Sequence, residues 1–110
     1  MAAREFVKAC KEERDTLLAL YADQNLGSAV GAHLDAAKLT QQQRAEVIAA
    51  LDTALTDTFY TLLMGLAGAG TLGGSQQVYR LSDEHSRPIT LSGNDDLEAL
   101  AFEIFQSEGR

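Results

Sequence analysis

Residues 40–74 read TQQQRAEVIAALDTALTDTFYTLLMGLAGAGTLGG, and this stretch decides the fold. Thr40-Gln41-Gln42-Gln43 matches a capping box, in which a threonine hydroxyl and a glutamine amide satisfy backbone N–H groups that a helix start leaves open. The apolar residues that follow (Val47, Ile48, Leu51, Leu55, Phe59, Leu62, Leu63 and Leu66) recur at helical spacing and predict a long central helix over 41–66. Thr53, Thr56, Asp57 and Thr58 are weak helix formers, so a kink or break is expected there. Five of the ten residues Gly65–Gly74 are glycine, which predicts that helix propagation fails in this segment.

Toward the N-terminus, Phe6, Cys10, Leu17, Leu18 and Tyr21 define one apolar stripe and predict a helix over 3–23. Lys8 with Glu12 and Lys11 with Asp15 stand four apart with opposite sign on its other face. Asn25 and Gly27 supply a stop. Alanine-rich residues 28–37 predict a short helix that Gly31 weakens.

Toward the C-terminus the period changes. Val78, Tyr79 and Leu81, then Ile89 and Leu91, alternate with polar residues around the turn formers Asp83–Pro88. The pattern predicts a β-hairpin with strands 77–82 and 88–92. Leu97, Leu100, Ala101, Ile104 and Phe105 then predict an amphipathic helix over 95–107, with Asp95 and Glu98 as its cap box and Asn94 as an alternative cap. The fold expectation is α+β, one domain over 1–110: a helical layer centred on 41–66 with a hairpin and a C-terminal helix against it. Two strands alone are marginal in water, so the hairpin must lie on the helices or be extended by another chain.

With 110 residues, 45% of them apolar, the chain can bury a core without staples. Its single cysteine excludes an internal disulfide. The start, Met-Ala-Ala-Arg-Glu-Phe-Val-Lys, carries charge at once and predicts no secretory leader and a cytoplasmic setting. The uncharged stretch Thr58–Tyr79 has a strongly apolar part, Phe59–Leu72, too short for a bilayer, so no membrane segment is expected. A net charge of −7 disfavours nucleic acid and anionic membranes as partners, and it leaves open a basic protein.

No arrangement of chemistry-bearing residues stands out. Gly68-Ala69-Gly70-Thr71-Leu72-Gly73 spells G-x-G-x-x-G but follows a helix and precedes a strand, the reverse of a phosphate-binding turn. Cys10, His33 and His85 lie on different elements, so neither metal nor cofactor is expected. His85 adjoins Asp83 and Glu84 in a charged turn. The carboxylate pairs Asp52/Asp57 and Asp95/Asp96 read as a solvated face and a helix cap, and they leave a small carboxylate-dependent enzyme as a distant alternative.

Charge is unevenly spread along the sequence. Residues 1–15 balance and 16–80 carry −2, while 81–110 carry −5. Tyr79, Leu81, Asp83 and Glu84, in a Y-x-L-x-D-E pattern after a glycine-containing helix end, resemble a hairpin found in small, uncharacterised bacterial α+β proteins, some of them immunity proteins that accompany toxins. Where that pattern has a glycine in the turn, this chain has His85-Ser86-Arg87-Pro88. The resemblance covers less than half the chain and implies a small non-enzymatic interaction protein, an inhibitor of immunity type. Its contact residues for a basic partner would be Asp83, Glu84, Asp95, Asp96 and Glu98. The alternative is a structural, homodimeric module that pairs through an uncovered hairpin edge.

Overall fold

The long helix forms as its capping signal requires. In the computed structural model, which describes residues 2–90 and 96–107, Thr40 Oγ1 accepts from the Gln43 N–H at 3.1 Å and Gln43 Oε1 accepts from the Thr40 N–H at 2.9 Å. From this box α3, Gln41–Ala67, runs unbroken through the threonine-rich stretch. Thr58 donates its hydroxyl proton to the Ala54 carbonyl at 2.7 Å, and Thr56 accepts a bond from another helix, so neither competes with the helical backbone. Gly68 ends the helix with φ +82°, and the N–H groups of Gly68, Ala69 and Gly70 close on the carbonyls of Gly65 and Met64.

α1, Ala2–Ala22, lies antiparallel to α3, since Arg14 meets Asp52 and Thr56 while the start of α1 packs near the α3 C-terminus. α2, Ala29–Ala36, is capped by Ser28, whose Oγ accepts from the Gly31 N–H at 2.8 Å, and it rests on α1. α4, Asp96–Ala101, continues with wider π-type winding over Phe102–Ser107 and lies across both long helices. Leu97, Leu100, Ala101, Ile104 and Phe105, the stripe read for this helix, are all buried. They join Ala2, Ala3, Val7, Leu63 and Ile89 in one cluster, where Phe105 stacks on Phe59 with ring centroids 6.1 Å apart. Asp95 lies outside the described residues.

The fold is mainly helical, and the α+β expectation is overturned: among the described residues there is no strand and no β-hairpin. Between 77 and 90 a single bridge, Ser82 to Pro88, takes the place of the ladder. Side chains have taken the backbone groups that a ladder needs. Thr90 Oγ1 accepts from the Leu81 N–H at 2.9 Å and donates to the Tyr79 carbonyl at 2.7 Å. The Ile89 and Thr90 N–H groups share the Leu81 carbonyl, and Pro88 has no N–H to offer. Asp83 Oδ1 accepts from the N–H groups of His85 and Arg87, both at 2.9 Å. The segment is a loop stapled by Asp83 and Thr90, with Ile89 as its anchor in the core. Residues 91 and 92 of the expected second strand are outside the described residues.

A tight turn does form elsewhere. Leu72 and Ser75 exchange both backbone hydrogen bonds at 3.0 Å around Gly73 and Gly74, whose φ values are +60° and +79°. This is the two-residue turn that Gly-Gly favours, here carrying one bridge and no strands.

The molecule measures 49 × 29 × 24 Å, with a radius of gyration of 16.4 Å, where a compact chain of this length has about 13 Å. The core sits at one end. Beyond Arg14 on α1, and before Thr56 on α3, neither helix buries an apolar side chain. By length and composition alone α3 is long and apolar enough to cross a membrane, and 11% of its apolar window is buried within the fold.

Candidate functional site

Arg14 marks where the core stops. It stands on the apolar stripe read for α1, between Cys10 and Leu17, and is only 7% exposed. Its Nη1 donates to Thr56 Oγ1 and to the Asp52 carbonyl, both at 3.0 Å, and pairs with the Asp52 carboxylate. Its Nε donates to Asp15 at 3.0 Å. Burial opposes the charge, but the bonds to Asp52 and Asp15 outweigh it and hold the guanidinium above its ordinary pKa. The arrangement is a brace between α1 and α3, with every partner engaged. The signal in the sequence is a charged residue falling in the apolar stripe.

Asp83 and Glu84, read as partner contacts, lie in the stapled loop beside the start of α1. A shallow cleft of about 280 Å³ opens there among Glu5, Phe6, Asp83, Glu84, His85 and Arg87. Asp83 is committed to the loop: besides the two N–H groups it accepts from Arg87 Nε at 2.6 Å. The Arg87 N–H bond, aided by the Arg87 side chain and the His85 N–H, holds its carboxyl below the usual range. Arg87 also reaches Glu5 at 3.5 Å. Glu84 is exposed, with His85 Nε2 3.7 Å away, and Glu98 is exposed on α4. Asp96 opens α4. Asp95 and the Asp96 side chain lie outside what the structure describes.

Ion pairing redistributes the charge that a count along the sequence assigns to the C-terminal third. Arg4 pairs with Glu103 at 3.2 Å and Arg87 with Asp83, while Arg44 pairs with Asp35 at 3.0 Å and Lys11 with Asp15 at 3.3 Å. The Lys8–Glu12 pair expected on α1 does not form. With Arg14, five cations are thus paired inside the fold. Glu12, Glu13, Glu46, Asp57 and Glu98 are exposed with no ion-pair partner among the described residues. The uncompensated acids run along the long helices as well as the C-terminal region.

Asp52 serves Arg14 while Asp57 stands exposed, so that carboxylate pair does not converge. Among the described residues no three His, Cys, Asp or Glu side chains cluster for a metal. Cys10 is half-buried beside the core, and burial pushes its thiol pKa up, away from the reactive thiolate. The glycines of the G-x-G-x-x-G spelling form the α3 cap and the Gly73–Gly74 turn. Comparison with protein-family models, with curated proteins and with solved structures finds no match in any of the three.

Proposed function

We propose that the chain is a non-enzymatic interaction protein that docks a basic protein partner on its acidic surface. One observation supports this reading: Arg4, Lys11, Arg14, Arg44 and Arg87 pair internally, leaving exposed carboxylates without an ion-pair partner among the described residues at Glu12, Glu13, Glu46, Asp57 and Glu98. Such a surface raises the association rate of a positively charged patch and discriminates against acidic competitors. The reading moves the contacts away from Asp83, whose carboxylate is held by its own loop, and keeps Glu84 and Glu98 as exposed members. Inhibition of a basic toxin is one form that such docking takes.

The test is a partner identified by affinity capture and then purified. Its association rate should fall steeply between 50 and 300 mM salt, because the Debye length shrinks over that range. Replacing Glu12, Glu13, Glu46 and Asp57 by lysine should slow association by at least tenfold. A partner whose association ignores both changes overturns the proposal.

A further inference from the structure

Where α2 turns into α3 a cavity of about 420 Å³ opens, with Leu34, Asp35, Lys38, Leu39 and Arg44 in its lining. Its size is that of a small-molecule site. Lys38 and Arg44 outnumber Asp35 there, a local positive excess in a chain whose net charge is −7. Arg44 has half of its fork engaged. Nη1 donates to Asp35 at 3.0 Å, while Nη2 is enclosed and has no acceptor among the described residues. A buried charged donor without an acceptor is costly, so an oxygen that reaches Nη2 is strongly favoured. Lys38 supplies a second cation. It is exposed, has no ion-pair partner among the described residues, and holds φ +52° just past α2, where glycine is the favoured residue. The chain thus carries a cation at this rim against the preference of its own backbone. Leu34 is buried and Leu39 half-buried, which gives the same cavity an apolar wall.

We propose that this cavity binds a small organic carboxylate, its anionic end between Arg44 Nη2 and the Lys38 ammonium and its apolar body against Leu34 and Leu39. Charge-assisted bonds from a guanidinium and an ammonium select an anion, and the planar guanidinium suits a planar carboxylate. The ligand reaches Nη2 by a rotation of the long Arg44 side chain, which is itself 16% exposed. Asp35 sets the charge that the site accepts. It holds Nη1 and neutralises one of the two cations, leaving a single positive charge for a single negative one. A dianion such as phosphate meets the repulsion of Asp35 and has no use for the leucines. The proposal does not involve the acids that dock a basic partner, so either reading fails without the other.

Isothermal titration calorimetry of the full chain with sodium isocaproate tests it. Isocaproamide serves as the uncharged counterpart, and inorganic phosphate as the anion without an apolar body. The expected result is one site with a dissociation constant of about 1 mM or below, and both comparators weaker by about tenfold or more. The backbone amide resonances of Lys38, Leu39 and Arg44 should shift as isocaproate is added. Lys38→Gln, at an exposed side chain outside the core, should weaken binding about fivefold or more with the thermal midpoint unchanged. Arg44→Lys keeps the charge and removes the second guanidinium nitrogen, and it should weaken binding by about tenfold or more with the circular dichroism spectrum unchanged. Absence of binding at millimolar isocaproate overturns the proposal. So does binding that Lys38→Gln leaves unaltered, or an amide or phosphate bound as tightly as the carboxylate.

Discussion

Arg14 Nη1 lies 3.0 Å from Thr56 Oγ1, and this contact divides the two long helices into an end with a core and an end without one. On the α4 side of the pair, aliphatic and aromatic side chains are fully enclosed. On the other side the leucines of the same two helices are only partly buried. An ion-bonded brace at such a boundary fixes the lateral register of the helices where packing ceases to do so.

Removing the brace should be costly, and the cost should depend on the replacement. Arg14→Ala leaves the Thr56 hydroxyl buried without its donor and opens a void, and it is expected to lower unfolding free energy by about 2–4 kcal/mol. Arg14→Met fills most of the volume and leaves the half-exposed Asp52 to water, so it should recover at least half of that loss. Urea denaturation of both variants checks the order. Equal losses would mean that the charge, and not the volume, carries the effect.

Among the described residues two non-glycine residues hold positive φ, Lys38 at +52° after α2 and Ser86 at +63° in the stapled loop. A side chain in that region costs about 1–2 kcal/mol per residue relative to right-handed backbone, and glycine escapes it. Lys38 stands just beyond the C-cap of α2, where glycine is the favoured residue. Lys38→Gly should raise stability by about 0.5–1 kcal/mol after the entropy of the freer unfolded chain is subtracted. The thermal midpoint should rise by a few degrees.

Helix positions were legible from local signals: the Thr40–Gln43 box at the start of α3, the glycine stop at Gly68 at its end, and the stripe Leu97 to Phe105 on the last helix. The hairpin was not, because alternation at Tyr79–Leu81 and Ile89–Leu91 reports a half-buried extended chain but not what its N–H groups bond to. Asp83 and Thr90 are short polar side chains that offer the backbone local partners, and they outcompeted a ladder already weakened by Pro88. The Gly73–Gly74 turn is readable from the dipeptide, which favours positive φ at both positions. A count of charge along the sequence does not tell which acids are paired, since pairs such as Arg4–Glu103 join residues 99 apart.

Gly65 is buried on α3 because Leu72 folds back onto it. A Cβ at this position would stand 2.4 Å from Leu72 Cγ and 2.7 Å from its Cδ2, closer than atoms pack. Gly65→Ala gains about 1 kcal/mol of helix propensity, but the branched carbon of Leu72 must move and pull on the Gly73–Gly74 turn. Overpacking of this kind costs about 1–3 kcal/mol, so the net change should be a loss of up to about 2 kcal/mol. The double variant Gly65→Ala/Leu72→Ala should show the propensity gain without the clash. Chemical denaturation of the two, compared with Leu72→Ala alone, isolates the coupling.

Asp83 should make the stapled loop acid-sensitive. Its carboxylate accepts from the Arg87 N–H, the Arg87 side chain and the His85 N–H, and these bonds hold its folded pKa below that of an unfolded aspartate, about 3.9. A depressed carboxyl stabilises the folded form at every pH above the unfolded value and loses that contribution as pH falls through the folded one. The amide resonances of His85 and Arg87 should therefore hold steady from pH 7 to about 4 and shift together below it. Asp83→Asn should abolish the transition and shift both amides already at neutral pH, while leaving the Phe59–Phe105 stack and the core undisturbed, since the loop staple lies on the exposed side of its Ile89 anchor. The same staple displaces the hairpin ladder, and Asp83→Ala, which removes the Oδ1 acceptor that asparagine keeps, frees the His85 and Arg87 N–H groups. If those two amides then gained protection from hydrogen exchange, Asp83 would be shown to hold the segment out of a strand.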